Sequence, residues 1–292
     1  MSAAEPPGDG TRQLLVVIDP VARRSDGESV RIAKDVLSAG SHAKICLPQD
    51  HDEFSRALSR RGNRRPVVVG DDRALLRAVA TLHRERELAD GVLSLVPVGP
   101  AAGLSVAYAL GVPSSTVAAA RTALDGTAHR LDLLVDDSDG VVLGDLRIPA
   151  RAAVPGTASG HPGVTAVWDT CRSLVRTLVR PAPPEIPPAP ATAGYRLRVE
   201  ADGALLTDLD RQVESVHLTT RSSGGVMDVV IRTPDGPPVT VGAKQVTVSG
   251  ADFRYRADIQ IGGPVRTRTW TVREGAWALM LPAALPARGP DG

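Results

Sequence analysis

The sequence predicts an α/β + β protein: an N-terminal parallel α/β region followed by a mostly antiparallel β region. Three observations carry this. Short apolar runs alternate with helix-patterned segments from residue 14 to residue 124. The hydrophobic period falls to about two from Tyr195 onward. Between the two patterns lies a proline-rich stretch, 181–193, expected to be extended and semi-rigid. The expected domains are 12–126 and 127–285, with the proline-rich stretch and one helix inside the second.

The elements follow in order. Residues 14–18 form a continuous apolar run, the pattern of a strand covered on both faces, and Asp19-Pro20 ends it. Val30, Ile32, Ala33, Val36 and Leu37 have helical spacing over 29–37. A strand at 43–47 and a helix at 52–61 come next. The strand 67–69 stops at Gly70, Asp71 and Asp72 and leads straight into a helix over 75–83. The strand 92–96 ends in Pro97-Val98-Gly99-Pro100, and helices over 104–110 and 115–124 follow. Strand alternating with helix in this way predicts a parallel sheet with helices on both faces. After Asp125-Gly126, strands at 131–135 and 140–146 flank an acidic turn, Asp136-Asp137-Ser138-Asp139. Residues 164–179 carry one apolar helical face. Strands are then expected at 195–199, 213–218, 226–231, 239–248, 253–261 and 267–281, separated by glycine and proline turns.

Composition narrows the function classes. With 292 residues, 42% hydrophobic residues and a net charge of +1, the chain is long enough for a sizeable core. Near-neutral charge and 3% aromatic residues argue against a nucleic-acid partner. Cys46 and Cys171 are far apart and show no disulfide or zinc spacing. The N-terminus lacks a signal-peptide pattern, and no apolar run approaches the ~20 residues of a membrane span. The expected setting is therefore cytoplasmic, with peripheral contact to a membrane open.

The turn Gly70-Asp71-Asp72-Arg73-Ala74 is the candidate site. A strand passing through glycine into a helix start is a common phosphate-binding arrangement, because the backbone can come close and unpaired amides face the anion. A carboxylate there can hold magnesium. The alternative is a plain turn in which Asp71 or Asp72 caps the helix. Three other patterns carry candidate chemistry. Gly103-Leu104-Ser105-Val106-Ala107 is faintly like a nucleophile elbow, with Asp132 and His161 or His217 as partners on paper; a small-residue turn explains it as well. The basic cluster Arg56, Arg60, Arg61, Arg64 and Arg65 could meet phosphate or an anionic membrane, or be a solvated helix end. The six histidines show no ligand spacing.

The order of these turns resembles the diacylglycerol kinase catalytic-domain family, which includes bacterial lipid kinases and sphingosine kinases. The likeness covers roughly residues 14–282. The family's first strand ends in Asn-Pro, here Asp19-Pro20; its nucleotide turn Gly-Gly-Asp-Gly-Thr is here Gly70-Asp71-Asp72-Arg73-Ala74. Its next turn, Pro-Leu-Gly-Thr-x-Asn-Asp, begins here as Pro97-Val98-Gly99-Pro100, and Ala-Arg-x-Leu-Gly-Ile-Pro matches Ala107-Tyr108-Ala109-Leu110-Gly111-Val112-Pro113. The late Asp-Gly-Glu aligns with Asp258-Ile259-Gln260, and the final strand, 273–282, is similar to that of actinobacterial members.

The resemblance implies ATP- and magnesium-dependent phosphoryl transfer to a lipid hydroxyl at a membrane surface. The implied nucleotide contacts are Asp19, Gly70, Asp71, Asp72, Arg73, Ala74, Gly99 and Pro100, with Asp72 as the metal ligand. Asp258 is the implied catalytic carboxylate, and Gln260 stands where the family has its general base. An amide cannot accept that proton, and general-base help is worth about 10² to 10⁴ in rate. Asp71 and Arg73 replace glycines where the backbone must approach phosphate, although Arg73 could itself bind phosphate. The second reading is therefore a catalytically inactive kinase-like binding or regulatory module.

Overall fold

Short buried strands and the helices between them build the first lobe. In the computed structural model, which describes residues 13–150, 195–220 and 224–283, β1 (Gln13–Ile18), β2 (His42–Cys46), β3 (Arg65–Gly70) and β4 (Val92–Pro97) stand in the order β2-β1-β3-β4. All three pairings are parallel. β1, β3 and β4 are buried along most of their length, which is why they read as unbroken apolar runs. The connections carry α1 (Pro20–Ser25), α2 (Gly27–Gly40), α3 (His51–Ser59), α4 (Asp72–Arg84), α5 (Ser105–Ala109) and α6 (Thr116–Asp125). The extra helix α1 was not expected; Asp19 caps it through Val21 N, and Pro20 supplies the pre-set first residue. In α4, Ala74, Leu75, Ala78, Val79 and Leu82 are buried at helical spacing, and His83 and Arg84 complement the dipole in the last turn.

The second lobe is antiparallel. It contains β5 (Thr127–Asp136), β6 (Val141–Val142), β7 (Asp145–Ile148), β8 (Tyr195–Ala201), β9 (Ala204–Thr207), β10 (Gln212–Val213), β11 (Ser215–Thr220), β12 (Met227–Arg232), β13 (Val239–Ala243), β14 (Gln245–Ala257) and β15 (Gln260–Leu281). Three expected strands are divided here. The stretch 140–146 breaks into β6 and the start of β7, and 239–248 breaks at Lys244 into β13 and β14. The stretch 253–261 folds back on itself, with Ala257 opposite Gln260 across the β14–β15 hairpin. The helix expected at 164–179, the stretch 181–193 and His161 lie outside the described residues.

β15 joins the two lobes. It pairs antiparallel with β14 and β5, and near its end Ala278 and Leu279 pair parallel with Val92 and Leu93 of β4. A register shift between Arg273 and Trp277 marks a bulge, where Gly275 takes φ +54°. Before the bulge Trp270 enters the β core with Leu146, Val216, Leu218 and Val246; after it Trp277, Leu279 and Leu281 enter the α/β core with β1, β3 and β4. Both tryptophans are fully buried. Truncating such an anchor to alanine typically costs about 3–5 kcal/mol.

Candidate functional site: the cleft between the lobes

One wall of the cleft is the end of β3 and the starts of α4 and α5. Gly70 passes so close to its surroundings that a Cβ would lie 2.7 Å from the Ala74 Cβ and 3.0 Å from the Asp19 Cβ. Asp71 follows as the cap of α4: its Oδ1 accepts from Arg73 N and Ala74 N, each at 3.1 Å. Gly99 comes up against the same residue; its φ of +152° suits glycine, and a Cβ there would be 3.3 Å from the Asp71 Cβ. Asp72 turns inward and is fully buried. It accepts from Val106 N and Ala107 N, both at 2.9 Å, and from Ser105 Oγ at 3.4 Å. Burial pushes its carboxyl up, and the two amides oppose that shift. Asp72 thus ties the first turn of α4 to α5.

The opposite wall is the face of the β lobe that is turned away from its core. Along β7, Leu146 and Ile148 point into the core while Asp145 and Arg147 point to the cleft. His217 on β11 and Arg256 on β14 are both direct register partners of Arg147. Three basic side chains therefore stand in one row across neighbouring strands. They converge on Asp145 Oδ2: Arg147 Nε at 2.9 Å, His217 Nε2 at 3.4 Å and Arg256 Nη2 at 3.7 Å. Burial raises the Asp145 carboxyl, but the His217 contact and the charges of Arg147 and Arg256 outweigh it and hold the group below its ordinary value.

Asp258 sits in the β14–β15 turn with φ +50°, a left-handed conformation that aspartate tolerates. Its carboxylate accepts from Leu143 N at 2.7 Å, Gly144 N at 2.8 Å and Asp145 N at 3.1 Å. Burial pushes its pKa up to about 6 against these three donors. The two walls enclose a cleft of about 1130 Å³, into which the apolar side chains of Val106, Leu110, Leu131, Ile259 and Ile261 also face.

No family model matches the chain, and no curated protein matches its sequence. Solved structures match its shape. Two structures of a protein provisionally named a diacylglycerol kinase, from Bacillus anthracis str. Sterne, give TM-scores of 0.66 and 0.67 at 13% identity. They cover 92% and 94% of this chain and 97% and 98% of their own. A third, of a diacylglycerol kinase from the same organism, gives 0.63 at 13% identity, covering 94% of this chain and 98% of that one. The chain has the diacylglycerol kinase fold. At such identity the likeness speaks for architecture, and the chemistry rests on the residues present.

Set into the diacylglycerol kinase fold, the residues expected at the site divide into two groups. Asp71, Arg73, Pro100 and Asp258 line the cleft. Asp19, Gly70, Asp72, Ala74, Gly99 and Gln260 are not among its lining residues. Asp19 is buried, with Val21 N at 2.7 Å and Arg77 Nη1 at 2.8 Å on its carboxylate. Gln260 is exposed outside the cleft. The residues expected to meet magnesium and phosphate do not fit those groups as they stand, because Asp72 is sealed and Asp71 takes the α4 amides. Among the described residues no group of three His, Cys, Asp or Glu side chains could hold a metal ion. Arg73 is exposed, and its guanidinium has no hydrogen-bond or ion-pair partner among the described residues.

Among the described residues the nucleophile elbow does not assemble. Ser105 Oγ points to Asp72, His217 sits with Asp145, and the Asp132 carboxylate accepts from Gly225 N at 2.8 Å and Gly275 N at 2.9 Å. Within the basic cluster Arg61 pairs with Glu87, Arg65 donates to the Ala123 carbonyl and Arg56 to the Asp52 carbonyl. In the acidic turn, Asp136 Oδ1 accepts from Ser138 N and Gly140 N at 2.8 Å, which makes it a hairpin turn. Sequence reasoning missed Arg147 and Arg256, and it considered His217 only as a partner of the nucleophile elbow. They come from three separate stretches of chain, and only strand register brings them into one row.

Proposed function

We propose that this chain is a ligand-binding protein built on the diacylglycerol kinase fold, which takes its ligand in the cleft between the lobes without transferring phosphoryl groups. The observation that carries this reading is the cap of α4. The amides of Arg73 and Ala74 would be the phosphate donors of a nucleotide turn, and the carboxylate of Asp71 already accepts from both. A triphosphate would have to displace that carboxylate and then lie beside its negative charge. Gln260 cannot serve as a base, which supports the same reading.

The test is a thermal-shift titration with Mg-ATP, run beside transfer of labelled γ-phosphate to diacylglycerol in mixed micelles. A ligand at about 100 times its Kd stabilises the folded state by about 2.7 kcal/mol. The wild type is expected to show no shift at millimolar Mg-ATP and no labelled lipid. Asp71→Gly should gain a nucleotide-dependent shift while its ligand-free stability changes by only a few tenths of a kcal/mol, since glycine is itself a tolerable cap. A shift in the wild type together with labelled lipid would overturn the proposal.

That outcome would support the second reading, ATP- and magnesium-dependent transfer to a lipid hydroxyl. One observation favours it: Asp258 is a cleft carboxyl whose pKa of about 6 suits a proton acceptor at neutral pH.

A further inference from the structure

The β wall places Arg147 directly opposite Arg256, with the carboxylate of Asp145 between them. Like charges directly opposite one another on neighbouring strands destabilise a sheet. Here Arg147 has His217 on one side and Arg256 on the other, both in direct register. One carboxylate, Asp145, faces all three, and its Oδ2 is the atom that all three approach. The side chains of Arg147, His217 and Arg256 keep 51%, 31% and 22% of their surface open, so their polar ends remain within reach of a ligand. The chain as a whole carries a net charge of only +1, so this excess is local to the wall.

The same cleft has an apolar side. Ile261 is 64% exposed, the most exposed of the large hydrophobic residues described, and it lines the cleft together with Ile259 and Leu110. The cleft volume of about 1130 Å³ exceeds what a small anion fills, since pockets for drug-sized ligands run from ~300 to ~1,000 Å³. Across the opening, Arg73 adds another cation without a partner among the described residues.

We infer that the cleft face of β11, β7 and β14 is a binding site for the anionic group of an amphiphilic ligand, held by Arg147, Arg256 and His217, with the apolar part of the ligand along Leu110, Ile259 and Ile261. Guanidinium groups suit a phosphate or carboxylate because their donors form a planar fork. The inference rests on the reading of the cleft as a ligand site. It concerns a ligand that is already anionic when it binds.

The test uses the full chain without nucleotide, so a failure here is separate from a failure of the transfer assay above. Dodecyl phosphate below its micelle concentration, dodecyl maltoside and inorganic phosphate are titrated by calorimetry. Dodecyl phosphate should bind saturably, at least tenfold tighter than either of the others. The double variant R147Q/R256Q should lose at least tenfold in dodecyl phosphate affinity while still unfolding cooperatively in a ligand-free melt. Ile261→Ser should weaken dodecyl phosphate and leave inorganic phosphate unchanged. Equal binding of dodecyl maltoside would overturn the anion site, and equal binding of inorganic phosphate would overturn the amphiphile. A fall in ligand-free melting temperature of R147Q/R256Q with unchanged affinity would make the row a structural ion cluster and also overturn the inference.

Discussion

The two walls of the cleft use their carboxylates in opposite ways. On the α/β wall Asp71 and Asp72 face backbone amides, so the positive ends of the helices are neutralised by the chain itself. On the β wall Asp145 faces side-chain cations that outnumber it. Self-capping leaves the first wall with its turn amides already occupied, whereas the second wall presents side-chain donors on a sheet, and the proposed anion site uses those side chains. Asp258 belongs to the first kind although it lies on the second wall, since its three partners are all amides.

Breaking these carboxylates one at a time sharpens the comparison. The largest effect is expected for Asp258→Ala, which strands three amides and releases the β14–β15 turn from residues 143–145. A loss of roughly 3 kcal/mol in urea unfolding is expected, and a loss below about 1 kcal/mol would mean that water replaces the carboxylate without cost.

Next comes the pH dependence of the same group. The folded-state pKa of Asp258, about 6, lies above its ordinary value of 3.8, so the folded protein binds the extra proton between these values. Its contribution is full below pH 3.8 and is lost as pH rises through about 6. Stability of the wild type relative to Asp258→Asn should therefore fall across that window, by on the order of 2 to 3 kcal/mol. A flat difference would show that the three amides hold the carboxylate ionised throughout. The smallest effect is expected for Asp72→Ala, a loss of about 2 kcal/mol from the uncapped start of α5. Dodecyl phosphate affinity should fall less than tenfold, because Asp72 contacts α5 and none of the β-wall cations. A loss as large as that of R147Q/R256Q would break the separation of the two walls.

The sequence revealed local features and hid long-range ones. β1, β3 and β4 were legible because strands buried on both faces are apolar throughout, and α4 was legible because its buried residues recur at helical spacing. The turn at Asp258 was missed because a non-glycine residue takes the left-handed conformation there, leaving no glycine or proline to mark the reversal. At Asp71 and Asp72 the residue types alone left ligand and cap open. Which of them applies depends on which amides lie nearby, and for Asp72 these belong to residues more than thirty positions along the chain. The row of Arg147, His217 and Arg256 depends on the register of three strands, which no single stretch of sequence encodes.

The path of β15 has a consequence for the order in which the molecule is made. The edge of β4 is covered by residues 278 and 279, which leave the ribosome long after the rest of the first sheet. During synthesis β4 therefore presents unpaired amides and carbonyls, an open template for pairing with another chain, until residues 278 and 279 have emerged. The first lobe cannot mature as an independent early unit; its last strand arrives only after the second lobe has been translated. Closing a sheet across so long a separation also raises contact order, which slows folding. Trp277, Leu279 and Leu281 thus act as a late latch, completing a core whose other strands were made well before them.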